Sequence, residues 1–291
     1  MSPGRHVQAR RVVVGLGGIL LGATACVAAP AGAASPVAAP PGGPALLPGA
    51  TPPGLPALPP PYPVAGAPGR SAPGPVARQP AGPALPVASR GRLVGDLGAA
   101  AWSSWENVTY LPWSRKSRYA RQDGPDGPVV RVDADDSASM LVRLVAFDPR
   151  REPIVSWRWR IASPPTAGDE RVKERDDCAA RVYFVWGLRS RSDVFSSKGL
   201  AYVWGRTRRV GEVGASPFTD QVGVVTLRSG AAGAGAWQVE QRDLEADYRA
   251  YFGTSPDGPV SAIALLTDTD HTNGRATAWY GPVHAQARPA R

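Results

Sequence analysis

From about Gly91 onward, short runs of the chain alternate apolar and polar residues with a period of two. The clearest is PIVSWRWRIA, which sets Val155, Trp157, Trp159 and Ile161 on one side and Ser156, Arg158 and Arg160 on the other. In AARVYFVWGL, Ala180, Val182, Phe184 and Trp186 share a side, opposite Arg181 and Tyr183. Successive side chains of an extended chain point to opposite faces, so this period predicts half-buried strands. Similar patterns predict strands over 117–122, 128–134, 137–145, 200–205, 221–229, 236–242, 260–267 and 275–286, parted by turn-forming clusters such as QDGPDGP. One segment, RDLEADYRAYFG, has helical spacing instead. Leu244, Tyr248, Tyr251 and Phe252 recur at i, i+4, i+7 and i+8 behind an Asp243 cap, Glu245 and Arg249 pair at i, i+4, and Gly253 closes the helix. About ten strands with one short helix predict an all-β fold, an antiparallel β-sandwich of jelly-roll-like type. No internal repeat and no βαβ unit is evident.

Composition divides the chain. Between Pro30 and Pro86 there are 19 prolines and no Asp or Glu. Such a segment cannot bury enough apolar surface to fold, so residues 26–90 are expected to form an extended, semi-rigid spacer. Ahead of it, Arg5, Arg10 and Arg11 precede an apolar stretch from Val12 to Ala25 that is too short to span a bilayer and ends in the small-x-small triplet Ala23-Thr24-Ala25. Residues 1–25 therefore predict a signal peptide and a periplasmic or secreted product, and the Arg10-Arg11 pair also fits twin-arginine export. Cleavage before Cys26 would leave a cysteine open to lipidation, the single route to a membrane that the sequence offers. Ala23, however, stands where the lipoprotein consensus wants a large aliphatic residue, and ordinary secretion is the simpler reading. Residues 91–291 remain for one domain with a sizeable core. Cys26 and Cys178 are the two cysteines, so that domain has no internal disulfide.

The net charge of +9 does not point to nucleic acid. All 24 acidic residues follow residue 90, against 27 Lys and Arg, so the domain carries 27 − 24 = +3, with the signs interspersed. A nucleic-acid footprint needs one-sign clustering, and the nearest approach, Arg206, Arg208 and Arg209, reads as a solvated loop. Oligomeric state leaves no signal.

Two stretches concentrate candidate chemistry. In LLTDTDHTNGRATAWYG, Asp268, Asp270 and Asn273 offer the oxygen ligands that Ca2+ prefers. The EF-hand pattern fails there, because Thr272 and Trp279 occupy its fifth and twelfth positions, and a strand-to-strand turn accounts for the stretch equally well. No other cofactor is implied. In RDDCAAR, Asp176 and Asp177 are adjacent and point apart, whereas Asp177 and Arg181 share a strand face and suggest a structural salt bridge. Cys178 has only His271 and His284 in the domain to activate it. There is no G-x-S-x-G elbow, GASPF lacks the closing glycine, zinc ligands are too few, and GAAGAGAW joins strands rather than opening a helix. Ligand binding is better supported. Arg158, Arg160, Arg181, Tyr183, Tyr202 and Trp204, with Asp177, could line one sheet face, where aromatic rings would stack on sugar C–H faces and charged groups would take the hydroxyls.

In order and spacing, SASMLVRLV, PIVSWRWRI, DDCAARVYFVW, LAYVWG, QRDLEADYRAYFG and ALLTDTDHTNGRATAWYG resemble a bacterial family, domain of unknown function 3047, over about Trp102 to Gln286. That family usually reads Asp-Thr-Asp-Asn-Thr where this chain has DTDHT, so His271 is a departure. The resemblance implies an exported all-β sandwich and brings no activity or catalytic residue with it, and the spacer lies outside it. Together these readings predict a non-enzymatic envelope protein that binds carbohydrate or another envelope ligand. The alternatives are a polysaccharide hydrolase or lyase using Asp176, Asp177, Asp268 or Asp270 with Arg181 or Tyr183, and a structural interaction module.

Overall fold

The computed structural model describes residues 91–109, 114–188 and 197–289. The expected signal peptide, the spacer and Cys26 lie outside the described residues. The elements are β1 (Arg92–Gly95), α1 (Ala99–Trp102), β2 (Trp105–Val108), β3 (Arg118–Gly124), β4 (Gly127–Asp135), β5 (Ala138–Phe147), β6 (Ile154–Ile161), β7 (Cys178–Trp186), β8 (Lys198–Gly205), β9 (Val213–Ser216), β10 (Thr219–Ser229), β11 (Gln238–Asp243), α2 (Leu244–Phe252), β12 (Val260–Asp268), β13 (Arg275–Tyr280) and β14 (Val283–Gln286). The strands form two facing seven-stranded sheets, a jelly-roll-like β-sandwich.

In sheet A, β13 and β14 run end to end along one edge of β6 and β11 pairs with its other edge. The break at Gly281 is bridged by its own N–H, which donates to Arg158 O at 2.8 Å. β4 and then β3 flank β13, and β1 flanks β14. Sheet B runs β2-β5-β12-β7-β8-β10-β9. Pairing is antiparallel except between β8 and β10, which are parallel because the chain first makes β9 at the sheet edge and returns through the gap.

The inter-sheet core is aromatic. Trp157 and Trp159 of β6 point inward, as their alternation predicts, onto Phe184, Tyr202 and Trp204 of sheet B, with ring centroids 5.2–6.1 Å apart. Burying each such ring contributes roughly 1.5–3 kcal/mol. Most of the polar tips are satisfied locally: Trp159 Nε1 donates to Glu240 Oε1 at 2.9 Å, Trp204 Nε1 to Gly230 O at 3.1 Å, and the Tyr202 hydroxyl to Asp247 Oδ2 at 2.7 Å, whereas Trp157 Nε1 has no partner among the described residues. Helix α2 forms as its caps predict, with the Asp243 carboxylate accepting from the Ala246 N–H and Gly253 at φ 76°.

One expectation is corrected. β7 is not half-buried; all nine of its residues are buried. Sheet B has a second buried apolar cluster on its other side, where Tyr183 and Val185 join Met140, Ala201, Val203, Val222 and Leu266. Period two survives in β7, but both of its faces are core.

Candidate functional site

The two acid-rich stretches meet. β7 and β12 are hydrogen-bonded neighbours, and their register sets Asp268 opposite Cys178. The last residue of β12 and the turn after it therefore lie beside the two aspartates that immediately precede β7. Asp177 ties the two together: its Oδ1 accepts from the His271 N–H at 3.1 Å and its Oδ2 from the Thr272 N–H at 2.9 Å, and the Thr272 hydroxyl also donates to it. These bonds satisfy turn donors that the strands leave unpaired.

Asp176, which leaves the short helical turn at Lys173–Arg175 with φ −73° and ψ 52°, turns the other way. The salt bridge expected between Asp177 and Arg181 belongs to Asp176 instead. Arg181 grips that carboxylate with two hydrogen bonds of 2.7 and 3.2 Å, and both side chains are only 2% exposed. Arg181 Nη1 also donates to the Tyr183 hydroxyl at 3.1 Å. Burial pushes the Asp176 pKa up, opposed by the Arg181 charge.

Around Asp177, one ligand atom each from Asp177, Asp268, Asp270 and His271 lies within 4.8 Å of the others. Asp268 is 5% exposed, and its Oδ1 has no hydrogen-bond partner among the described residues. Burial first, and then the carboxylates of Asp270, Asp177 and Asp176, hold its pKa well above the usual carboxylate range. His271 Nδ1 sits 2.9 Å from Asp270 Oδ1 and 3.6 Å from Asp177 Oδ1, at ion-pair distance but without the alignment of a hydrogen bond. The two carboxylates, Asp177 foremost, push the imidazole up to about 10. The expected trio of Asp268, Asp270 and Asn273 is thus recast. Asp177 and His271 join the first two, whereas Asn273 is exposed and takes φ 49°, the conformation of a tight turn. Burial raises the Cys178 thiol well above its ordinary pKa, away from the thiolate that a nucleophile needs.

The single binding face expected from Arg158, Arg160, Arg181, Tyr183, Tyr202 and Trp204 does not form. β6 lies in sheet A, so Arg158 and Arg160 are across the sandwich from the rest. Within sheet B, Arg181 pairs with Val203 and Tyr183 with Ala201, so Tyr202 and Trp204 project from the opposite side. Tyr202 and Trp204 fill the inter-sheet core, and Arg181 and Tyr183 are buried on the far side of sheet B.

Arg158 and Arg160 nevertheless meet aromatic partners on the outer face of sheet A. Register places Trp279 of β13 between Arg160 of β6 and Arg131 of β4. Trp237, just before β11, completes the row on the other side of β6. The Arg160 guanidinium lies 4.0 Å from the Trp279 ring centroid and 5.3 Å from that of Trp237; Arg158 is 4.7 Å from Trp237 and Arg131 is 5.6 Å from Trp279. All five side chains belong to half-buried residues. The row Trp237–Arg160–Trp279–Arg131 crosses about three strand spacings, roughly 14 Å. Arg158 is steadied by Asp126 and Arg131 by Asp133. Alternation in RATAWY, with Ala276, Ala278 and Tyr280 inward, is the signal that would have exposed Trp279; Trp237 sits at the end of a Gly/Ala loop and offers none.

Among solved structures, the chain is similar to the xyloglucanase domain of NopAA, a type three effector from Sinorhizobium fredii, at 11% identity over 63% of this chain and 93% of that one, with a TM-score of 0.37. It is also similar to a family 12 xyloglucanase from Bacillus licheniformis, at 8% identity over 64% and 93% of the chains, TM-score 0.38. A third is a carbohydrate-binding module, CBM28, specific for non-crystalline cellulose, at 8% identity over 68% and 96%, TM-score 0.36. Likeness this distant carries no inference about ligand or activity. No curated protein matches the sequence. Residues 103–284, well over half of the chain, match the family described as protein of unknown function, DUF3047, and the chain belongs to that family.

Proposed function

We propose that the domain is a non-enzymatic carbohydrate-binding module of the cell envelope, holding its ligand on the outer face of sheet A. The observation that carries this reading is the row of half-buried Trp237 and Trp279 interleaved with Arg160 and Arg131, beside Arg158. Indole faces stack on the C–H faces of sugars, and guanidinium N–H groups donate to hydroxyl or acidic substituents. Arg160, Trp279 and Arg131 stand on neighbouring strands and Trp237 immediately precedes β11, which holds the row's spacing against a ligand of two or three sugar units. Residues 1–90, read from sequence as a leader and a Pro-rich spacer, support an exported protein.

The rival reading, hydrolysis by paired carboxylates, gains from the meeting of Asp177, Asp268 and Asp270. Burial counts against it: glycosidase carboxyls flank an open substrate cleft, whereas Asp177 and Asp268 are buried.

The test is titration of the full chain with a panel of envelope polysaccharides and their oligosaccharides, neutral and acidic. At least one should bind saturably, and Trp279→Ala and Trp237→Ala should each weaken it about tenfold or more while melting close to the parent. Absence of binding to any glycan, or unchanged affinity in both variants, would leave the interaction-module reading in its place.

A further inference from the structure

We infer that Asp177, Asp268, Asp270 and His271 form a binding site for a hard divalent cation at the junction of β7 and the turn after β12. Two independent observations carry this. The first is convergence: four donor atoms, three of them carboxylate oxygens, lie within 4.8 Å of one another, although their residues come from segments about ninety positions apart. Donors around one ion bound at 2.0–2.6 Å must stand about that close to each other. The second is the Asp268 side chain. It is 5% exposed, belongs to this group, and carries an Oδ1 that no described group hydrogen-bonds. An unpaired buried carboxylate oxygen is costly, and a bound cation would satisfy it.

Local charge agrees. Asp176 beside the cluster is already paired with Arg181. Asp177, Asp268 and Asp270 are left facing one another with only the His271 side chain between two of them. Hydrogen bonds from the turn hold Asp177 in place, so part of the site is preorganised. The donor set selects the class of ion. Three carboxylates favour Mg2+, Ca2+ and Mn2+ over a soft metal; the added imidazole favours Mn2+, and Ca2+ would be held by the carboxylate oxygens alone. Asp270 is 33% exposed and His271 27%, which leaves a route in from solvent. The site shares no residue with the Trp–Arg row, so it can fail or stand without deciding the carbohydrate reading.

The experiment is a thermal melt of the full chain, stripped with chelator, against Ca2+, Mn2+, Mg2+ and Zn2+ alone, with the number of bound ions read by calorimetry. Ca2+ or Mn2+ should raise Tm by about 5–10 °C at a hundredfold excess over Kd, with one ion bound. Asp268→Asn, which keeps the shape and removes the charge, should melt at or above the parent without metal and lose the shift. His271→Asn exchanges the imidazole donor for a weaker amide oxygen and guards against a misfolded first variant. It should bind Mn2+ about tenfold more weakly and show the Tm shift only at correspondingly higher concentration. The inference is overturned if no cation shifts the parent, if the shift persists in Asp268→Asn, or if His271→Asn binds Mn2+ as tightly as the parent.

Discussion

Arg181→Met is the perturbation that most sharply tests how the interior of sheet B is held. The substitution keeps most of the side-chain volume in a fully buried site but removes both hydrogen bonds to Asp176, at 2.7 and 3.2 Å, and the donor to Tyr183. Asp176, only 2% exposed, then has no positive partner. Breaking a buried pair in this way costs about 3–5 kcal/mol, because one charge is left in a low-dielectric interior. For a domain of about 200 residues that corresponds to a fall in Tm of roughly 6–20 °C. Removing both charges together is different. The double variant Asp176→Asn with Arg181→Met leaves no uncompensated charge, and should lie within about 2 kcal/mol of the parent despite the cost of each single change. Urea unfolding at pH 7, followed by the fluorescence of the buried tryptophans, measures all four corners of the cycle. A loss below about 1 kcal/mol for Arg181→Met, or additive losses in the double variant, would refute the assignment of Arg181 to Asp176.

Other consequences are as definite. Tyr202→Phe removes one hydrogen bond to the buried Asp247 but leaves that carboxylate its pair of bonds from Arg242, so a loss of about 1–2 kcal/mol is expected in the same assay. Gly168→Ala would set a Cβ 2.5 Å from the Asp177 carbonyl oxygen, which forces the backbone of the acid cluster to move. It should cost about 1–3 kcal/mol and shift the amide resonances of His271 and Thr272; unchanged stability would show that the two backbones approach less closely. His284 is half-buried on β14, and burial lowers its pKa, with Asp96 opposing. Its folded pKa is depressed, so the unfolded chain takes up the proton first. Its contribution is complete above about pH 6.5 and is lost as pH falls through the folded value. Stability should therefore decline between pH 7 and 5, and His284→Asn should flatten that slope; an equal slope in the variant would assign the decline to other groups.

The fold is legible in the sequence where local chemistry and pattern agree. Alternation through Val155, Trp157, Trp159 and Ile161 names the inward face of β6, and the cap chemistry of Asp243 and Gly253 is enough to bracket α2. The four-residue strands β1, β2 and β9 are too short for their pattern to stand out. β7 misleads for a physical reason: Arg181 and Tyr183 at alternate positions look like a solvated face, but a partner five residues back makes Arg181 tolerable in a core. The acid cluster exists only because β12 pairs with β7, a contact about ninety residues long that periodicity cannot supply. The Trp–Arg row is half visible. Alternation sets Arg158 and Arg160 on an outer face, but their aromatic partners come from neighbouring strands of their own sheet rather than from β7 and β8.

The measurement that bears most directly on the carbohydrate reading is a two-dimensional NMR titration that follows the indole N–H signals of all nine tryptophans while a glycan is added. Binding on the outer face of sheet A moves the signals of Trp237 and Trp279 along a saturable curve and leaves those of Trp159 and Trp204, hydrogen-bonded in the core, in place. Saturable glycan binding with Trp237 and Trp279 both unmoved would contradict the account and put the binding face elsewhere on the sandwich.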